Sequence, residues 1–306
     1  ADGISYVARN CSLVSSNTLI KCDTAPGVGS QLFWLITVRN PAAPKIFTAA
    51  TSDNGCNGRG EYCALSDTLL STTYNAPVIY GVRNASAMNT AGGSVVTIFG
   101  NDFGPPEWDF IKVTYGRSEE LVDEFECKDA DISSEYYAYK ANYAYHLTCT
   151  SSEGYGTGFY WRVVTGNNSL LYSDIFSAPS TGYGDPAITN LFPYRNFTTK
   201  GGETITVTGT NFGPAGKNSD LLVTYGGIMG GKYEPTDCEV KTAHTVIECM
   251  TVSGIGGNLS WIVDLDGQAS VWAEGVKKMQ YTRPRILSQF ADQSAVTGNG
   301  VSDAQT

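Results

Sequence analysis

Eight cysteines are the residues of this sequence best suited to covalent chemistry, and they fall into four local pairs. The pairs are Cys11/Cys22, Cys56/Cys63, Cys127/Cys149 and Cys238/Cys249. An even number of cysteines arranged in this way is typical of disulfides formed in an oxidising compartment. A zinc site would need Cys-x2-Cys spacings and histidine partners. No pair has that spacing and His146 and His244 stand alone, so we expect disulfides and no metal site.

No combination of residues points to catalysis. A nucleophile needs a neighbouring base, and we interpret both histidines as exposed turn or strand residues. The glycine-rich run at 226–231 lacks the Lys-Ser/Thr of a phosphate loop. Asp264-x-Asp266-Gly267 lacks the later ligands of a calcium loop and fits a hairpin turn better, although calcium at a joint between repeats stays open. The sequence therefore predicts a protein that is not an enzyme and carries no cofactor.

Asn-x-Ser/Thr sequons mark possible sites of N-glycosylation. Their asparagines are Asn10, Asn84, Asn167, Asn196 and Asn258. Together with the cysteines they indicate an extracellular or cell-surface protein that carries covalent N-glycans. Asn84 and Asn196 occupy equivalent loops of two repeats described below.

Composition and charge narrow the possible partners. Hydrophobic residues make up 42% of the 306 residues and the formal net charge is −10, so the chain can bury cores but lacks the basic surface that nucleic acids require. No run of 18 apolar residues predicts a membrane span. The sequence begins Ala-Asp-Gly with no signal peptide, and we interpret it as mature or internal sequence.

A Cys-x4-Gly-x-Gly-x4-Trp motif occurs three times and is the strongest signal in the sequence. It runs from Cys22 to Trp34, from Cys149 to Trp161 and from Cys249 to Trp261. The upstream cysteine partners lie 11, 22 and 11 residues earlier, so the middle repeat carries an insertion of 11 residues. This spacing predicts the pairs Cys11–Cys22, Cys127–Cys149 and Cys238–Cys249, with Cys56–Cys63 closing a loop of the first repeat.

The repeats also predict strands. Gly-Gly blocks at 92–105 and 201–214 align without gaps, and both are followed by Val-Thr-Tyr-Gly. Period-2 alternation in 204–208 is typical of a half-buried strand. After the third Gly-x-Gly, the alternation predicts Leu259, Trp261, Val263 and Leu265 on the core side, and Asn258, Ser260, Asp264 and Asp266 on the solvent side. We therefore expect the recurring tryptophan to lie in a core.

The insertion in the middle repeat is rich in tyrosine. Its members are Tyr136, Tyr137, Tyr139 and Tyr143, with Tyr145 close by. Tyrosine is favoured at interfaces, so the cluster is a candidate contact surface. A longer hairpin whose rings pair across strands explains it equally well, and the sequence leaves both possibilities open.

Several blocks in order resemble the IPT/TIG domain, an immunoglobulin-like family. They are Gly-Gly-x-x-Ile-Thr-Val-x-Gly-Thr-Asn-Phe-Gly from Gly201, the hairpin from Cys238 to Cys249, and the Gly-x-Gly that follows. The resemblance covers residues 77–183 and 186–281. It implies an all-β fold of tandem immunoglobulin-like β-sandwiches with disulfide-clipped hairpins. The family's transcription-factor branch uses basic loops, which this chain lacks.

The repeat limits predict the domain organisation. Residues 1–75 resemble the C-terminal half of a repeat, 76–183 a repeat with the tyrosine-rich insertion, and 184–282 a further repeat. Residues 283–306 open another repeat or form an exchanged strand segment. Two explanations stay open: a window from a longer array, or ends completed by neighbouring copies through strand addition.

Short joints that contain proline favour a stiff rod of stacked sandwiches. The first hypothesis is a non-enzymatic structural or adhesive glycoprotein that self-associates as part of a surface fibre or filament and contacts other surface proteins. The second is a receptor ectodomain that binds a protein ligand. The third is an accessory module array of a glycan-acting enzyme, which would need an exposed aromatic platform.

Overall fold

The computed structural model describes residues 5–16, 18–38, 46–49, 62–65, 71–106, 110–133, 145–167, 169–227 and 233–287. Runs of Val, Thr, Ile and Tyr between glycine-rich turns form strands throughout these ranges, as β-branched and aromatic residues favour. No helix long and apolar enough to cross a membrane occurs in these ranges. The predicted all-β fold is confirmed.

The N-terminal unit holds seven strands in two sheets. They are β1 (Tyr6–Val7), β2 (Arg9–Ser15), β3 (Leu19–Asp23), β4 (Leu32–Val38), β5 (Ile46–Ala49), β6 (Tyr62–Leu65) and β7 (Ser71–Thr72). A five-stranded sheet has the order β1-β5-β4-β6, with β7 also paired to β4. The hairpin β2–β3 forms a separate two-stranded sheet.

The middle sandwich comprises eight strands between residues 78 and 183. They are β8 (Val78–Arg83), β9 (Val95–Asn101), β10 (Ile111–Gly116), β11 (Phe125–Ile132), β12 (Tyr145–Thr150), β13 (Tyr160–Thr165), β14 (Leu171–Tyr172) and β15 (Phe176–Ser177). Their order is β14-β13-β10-β11-β12-β9-β8, with β15 paired to β13. Because β11 pairs with both β10 and β12, one continuous sheet folds around the core.

The C-terminal sandwich comprises eight strands between residues 187 and 281. They are β16 (Ala187–Phe192), β17 (Thr204–Thr210), β18 (Leu221–Gly226), β19 (Thr236–Thr242), β20 (Val246–Met250), β21 (Ser260–Leu265), β22 (Gln268–Ala269) and β23 (Val271–Trp272). They form two sheets, of order β19-β20-β17-β16-β23 and β18-β21-β22. Strands β16 to β22 thus follow the chain order of β8 to β14.

The first and last strands of the C-terminal sandwich run in the same direction. β16 pairs with β23 through Ala187↔Val271 and Ile188↔Trp272, and this pairing is parallel. A further parallel bridge joins Phe197 to Tyr281, and its counterpart in the middle sandwich joins Met88 to Tyr183. Each sandwich is therefore closed by contacts between its opening and closing segments.

Two of the three repeated tryptophans lie in cores, as the alternation predicts. Trp161 stacks on Tyr115 at a centroid distance of 4.5 Å, and Trp261 stacks on Tyr225 at the same distance. Both indoles are fully buried. Trp34 is only half-buried. No tyrosine of a Val-Thr-Tyr-Gly strand covers Trp34 within the part of the N-terminal unit that the structure describes.

One position on β21 departs from the predicted alternation. Ser260 was expected to face solvent, but it is buried. It lines a shallow cleft with Trp272 and Val276. The chain after β22 therefore covers this end of the outer face of β21, and a small serine fits beneath it.

Three predicted disulfides clip hairpins together. Cys11–Cys22 joins β2 to β3, Cys127–Cys149 joins β11 to β12, and Cys238–Cys249 joins β19 to β20. Loops of 11 to 22 residues closed in this way stabilise the fold by about 3 kcal/mol each in the chain-entropy model. Cys56 lies outside the described residues, so its pairing with Cys63 stays a prediction.

Candidate functional site at the joints between sandwiches

The three Gly-x-Gly loops, at 27–29, 154–156 and 254–256, are built alike. The ring of Tyr183 presses on Gly154, where an added Cβ would lie 2.6 Å from Tyr183 Oη, and Tyr281 presses on Gly254 in the same way. The second glycine of each loop has a positive φ, for example 99° at Gly156. The first glycine is thus required by space and the second by backbone conformation, and the loop carries its central residue outward.

Buried tyrosine pairs hold two of these loops in place. Tyr115 Oη lies 2.7 Å from Tyr183 Oη, and Tyr225 Oη lies 2.6 Å from Tyr281 Oη. The closing tyrosine then donates to a loop carbonyl, as in Tyr183 to Ser152 at 2.8 Å. Burial raises the pKa of Tyr183 and of Tyr281 far above the ordinary value. Both hydroxyls therefore stay protonated and keep donating at neutral pH.

The central residue of the middle loop packs against the C-terminal sandwich. A Cβ added to Gly213 would lie 3.6 Å from Tyr155 Cδ1. The Tyr155 hydroxyl donates to Asp220 at 2.9 Å and lies 3.3 Å from an oxygen of Asn218. Gly213 belongs to the Asn-Phe-Gly block, so this shared block forms the surface that receives the preceding sandwich.

Arg117 is the centre of charge at this joint. Its guanidinium contacts Glu124 of the same sandwich at 2.7 Å and Asp220 of the next sandwich at 2.7 Å. Asp266 of the next sandwich lies 3.6 Å away, and the Tyr155 ring lies under the guanidinium at 5.0 Å. One cation therefore joins carboxylates of both sandwiches. Within the described residues no group of three His, Cys, Asp or Glu side chains could hold a metal.

The two acidic partners of Arg117 across the joint have opposite pKa shifts. The hydrogen bond from Arg117 lowers the pKa of Asp220, which is therefore stable as a carboxylate. Burial raises the pKa of Asp266 in spite of Arg117. Hydrogen bonds with Glu124 raise the pKa of Arg117 itself, so the guanidinium stays charged. Asp220 is thus the main electrostatic partner across the joint.

Two side-chain amides add hydrogen bonds at this joint. Gln268 Nε2 donates to the backbone oxygen of Tyr183 at 3.0 Å and to the Asp185 carboxylate at 2.8 Å. Asn211 Nδ2 donates to the backbone oxygen of Asp185 at 3.0 Å. These bonds tie the linker to loops of the C-terminal sandwich.

One predicted turn histidine also lies at this joint. His244 occupies the turn between β19 and β20, and its Nε2 lies 3.1 Å from Glu153 Oε1 of the middle sandwich. The side chain is only 16% exposed, so the expectation of an exposed turn residue is corrected by this contact. His146 lies in strand β12, as predicted.

The joint between the N-terminal unit and the middle sandwich has the same arrangement of a loop on a turn, but its central contact is made by an apolar side chain. Val28, the central residue of the first loop, is buried, and a Cβ added to Gly104 would lie 2.5 Å from Val28 Cγ1. The Ser30 amide donates to the Ser169 carbonyl at 3.3 Å. Both joints therefore place the centre of a Gly-x-Gly loop on the Phe-Gly turn of the next sandwich.

Sequence reasoning missed these joints. It treated the Gly-x-Gly motif and the blocks that contain Phe-Gly as separate repeats and did not connect them. The signal was a large side chain between two glycines in every copy: Val28, Tyr155 and Ile255. Arg117 left no signal, since the residue that follows the second Val-Thr-Tyr-Gly block is Gly227.

The other predicted sites are exposed asparagines, of which Asn167 lies in the loop that contacts Gly29, and tyrosines outside the described residues. The sequon asparagines Asn10, Asn84, Asn167, Asn196 and Asn258 are all exposed. Glycosylation at them stays a prediction. Tyr136, Tyr137, Tyr139 and Tyr143 lie outside the described residues, so their role as a contact surface is untested.

Comparison with known proteins identifies a domain family for part of the chain. The family model of the IPT/TIG domain matches residues 186–277. No curated protein sequence matches the chain. Three immunoglobulin domains of titin, in a variant with glutamate changed to alanine, share 11% identity over 92% of this chain and 89% of that chain, with a TM-score of 0.28.

A second solved structure is a Bacteroides ovatus protein of a mixed-linkage glucan utilization locus in complex with a mixed-linkage heptasaccharide. It shares 11% identity over 90% of this chain and 60% of that chain, with a TM-score of 0.21. The chain spans less than two thirds of that protein. Residues 186–277 are an IPT/TIG domain, a member of a non-enzymatic family, within a chain of tandem immunoglobulin-like folds.

Proposed function

We propose that this chain is a non-enzymatic structural or adhesive glycoprotein of the cell surface, whose stacked sandwiches form a stiff rod in a fibre or filament. Its proposed modules are residues 1–75, 76–183, 184–282 and 283–306. Disulfides and exposed sequons support an extracellular location and covalent N-glycans.

The observation that carries this proposal is the joint around Arg117. A flexible linker would leave neighbouring sandwiches free, but here the Arg117 guanidinium and the Gln268 amide bind across the boundary at 2.7 and 3.0 Å. Tyr155 adds a packed ring to these polar contacts. Several independent contacts at one boundary fix the angle between the sandwiches, which is what a load-bearing rod requires.

Electron microscopy of the native, unproteolysed protein in negative stain, at low and high concentration, tests the proposal. Filaments with a regular axial repeat would support self-association into a fibre. Single rods of fixed length at every concentration would refute it and favour a receptor ectodomain.

A matched variant separates stiffness from assembly. Arg117→Gln removes the charge at the joint and leaves both cores intact, so it should bend the rods at the boundary between the middle and C-terminal sandwiches. Arg162→Gln is the control, because Arg162 pairs with Asp123 inside the middle sandwich. Equal bending in both variants would contradict the role assigned to the joint.

A further inference from the structure

Within the described residues, no sandwich covers the third Gly-x-Gly loop. Its central residue, Ile255, is 66% exposed, whereas Val28 at the same place in the first loop is 4% exposed. Gly29 and Gly156 are buried by the next unit, while Gly256 is exposed and would meet only Leu259. The far end of the C-terminal sandwich therefore presents the surface that is covered at both joints.

Ile255 is held by the same two hydrogen bonds as Val28, with longer distances. The Tyr233 hydroxyl accepts from the Ile255 amide at 3.2 Å and donates to its carbonyl at 3.1 Å. Tyr6 does the same for Val28 at 2.8 and 2.6 Å. A large apolar side chain is thus fixed outward by its backbone, ready for a rigid partner.

A second observation lies just after this sandwich. Ile286 occupies the place of Ile79 and Ile188 in the repeated Tyr-x-x-Pro-x-Ile sequence. Ile79 and Ile188 are 7% and 0% exposed, because each opens the first strand of a sandwich and enters its core. Ile286 is 86% exposed. Residues 284–287 therefore carry the core pattern of a sandwich that would stand next to Ile255.

We propose that the Ile255 loop is the docking surface for a further IPT/TIG-type sandwich whose first strand begins at Pro284, and that Ile255 packs on the Phe-Gly turn of that sandwich. The inference rests on the proposed function in treating sandwiches as consecutive modules of a rod. Gly227 stands where Arg117 does in the middle sandwich, so this joint is apolar like the one at Val28.

A second copy of this chain is a poorer partner. Its two Phe-Gly turns, at Gly104 and Gly213, are already covered by Val28 and Tyr155. An identical chain would have to open one of its own joints to receive Ile255. The partner chemistry that fits is a free glycine notch beside an aromatic ring.

The test measures how fast a thiol at position 255 reacts with a maleimide. Ile255→Cys is made in the full chain and in an extended chain in which residues 1–287 continue directly into residues 190–306. The extension adds a second C-terminal sandwich in the register of Pro284, with its own free Phe-Gly turn. Cysteine is close in size to the valine of the first joint, so docking is preserved.

We expect labelling in the extended chain to slow by about tenfold or more, because the thiol passes from an exposed to a buried surface. Gly213→Asn in the added sandwich fills the notch and should restore fast labelling. Unchanged labelling while the added sandwich is folded, as shown by protection of its backbone amides from hydrogen exchange, would overturn the proposal.

Slower labelling of the unextended chain at high protein concentration would also overturn it, because a second copy would then be the partner. Filament formation by the native protein is measured without these variants. The failure of this inference is therefore distinguishable from the failure of the proposed function.

Discussion

Removing the charge of Arg117 should uncouple the middle and C-terminal sandwiches. In Arg117→Gln the ion pairs with Asp220 and Asp266 across the joint are lost, while the two cores are untouched. These side chains are 24%, 33% and 31% exposed, so solvent screens the pairs in part. In their degree of burial, these ion pairs are intermediate between two classes. Exposed ion pairs contribute up to about 1 kcal/mol, and disruption of a buried ion pair costs about 3–5 kcal/mol.

We therefore expect a loss of about 1 kcal/mol in the coupling free energy, and we assign it to the pair with Asp220, because burial raises the pKa of Asp266 in spite of Arg117. This corresponds to about a fivefold change in the coupling constant. Equilibrium unfolding in urea, read by hydrogen exchange and mass spectrometry, follows peptides of each sandwich separately. The C-terminal sandwich should unfold at a lower urea concentration in the variant.

A double-mutant cycle with Asp220→Asn provides the control. Because both variants break the same contact, the double variant should lose little more than either single variant. Strictly additive losses, or unfolding curves of Arg117→Gln that match the wild type in both sandwiches, would refute the assignment of Arg117 as the coupling residue.

Three further predictions follow from the same geometry. Asp266→Asn should leave the joint at least as stable at pH 7 as in the wild type, unlike Asp220→Asn, because the neutral amide keeps the uncharged state that burial favours. Burial raises the pKa of Asp266, so protonated Asp266 stabilises the folded state at low pH, and this contribution is lost as the pH rises through its folded-state pKa. In urea unfolding, the stability of the variant should lack this dependence on pH. Above the unfolded tyrosine pKa of about 10, the free energy of unfolding should fall by about 1.4 kcal/mol per pH unit for each closing tyrosine, because the folded state keeps a proton that the unfolded state releases; titrations from pH 9 to 11 check this. Gly209→Ala should destabilise the fold by about 1–3 kcal/mol in thermal unfolding, because its Cβ would lie 2.0 Å from the Ala187 carbonyl oxygen. Gly81→Ala is the control and should be neutral in this assay, because the space around Gly81 is open.

The sequence predicted the parts of the fold that arise from local periodicity. Alternation around Trp161 and Trp261 placed both indoles correctly, because a strand with one buried face repeats every two residues. Cysteine spacing predicted three hairpin disulfides, since neighbouring strands bring the paired residues close. The prediction that Ser260 faces solvent was wrong, because a later segment around Trp272 covers the outer face of its strand.

The joints could not be predicted in the same way. A contact such as Arg117 with Asp220 depends on the angle between two sandwiches, and no periodicity of either partner records that angle. The Gly-x-Gly loops did carry a signal, but the two glycines are required for different reasons. The first is required because a side chain would clash, and the second because its φ is positive, and only the structure distinguishes these reasons. Repetition thus revealed the modules, whereas packing revealed how they are joined.

The parallel pairing of β16 with β23 has a mechanical consequence. A force that pulls on the two ends of the chain draws these strands past each other along their own length. The bridging hydrogen bonds, and the bridge from Phe197 to Tyr281, then resist together in shear and are not broken one after another. Resistance to such a force is governed by the rate of unfolding. Each sandwich closed in this way would extend under tension only after this clamp has ruptured.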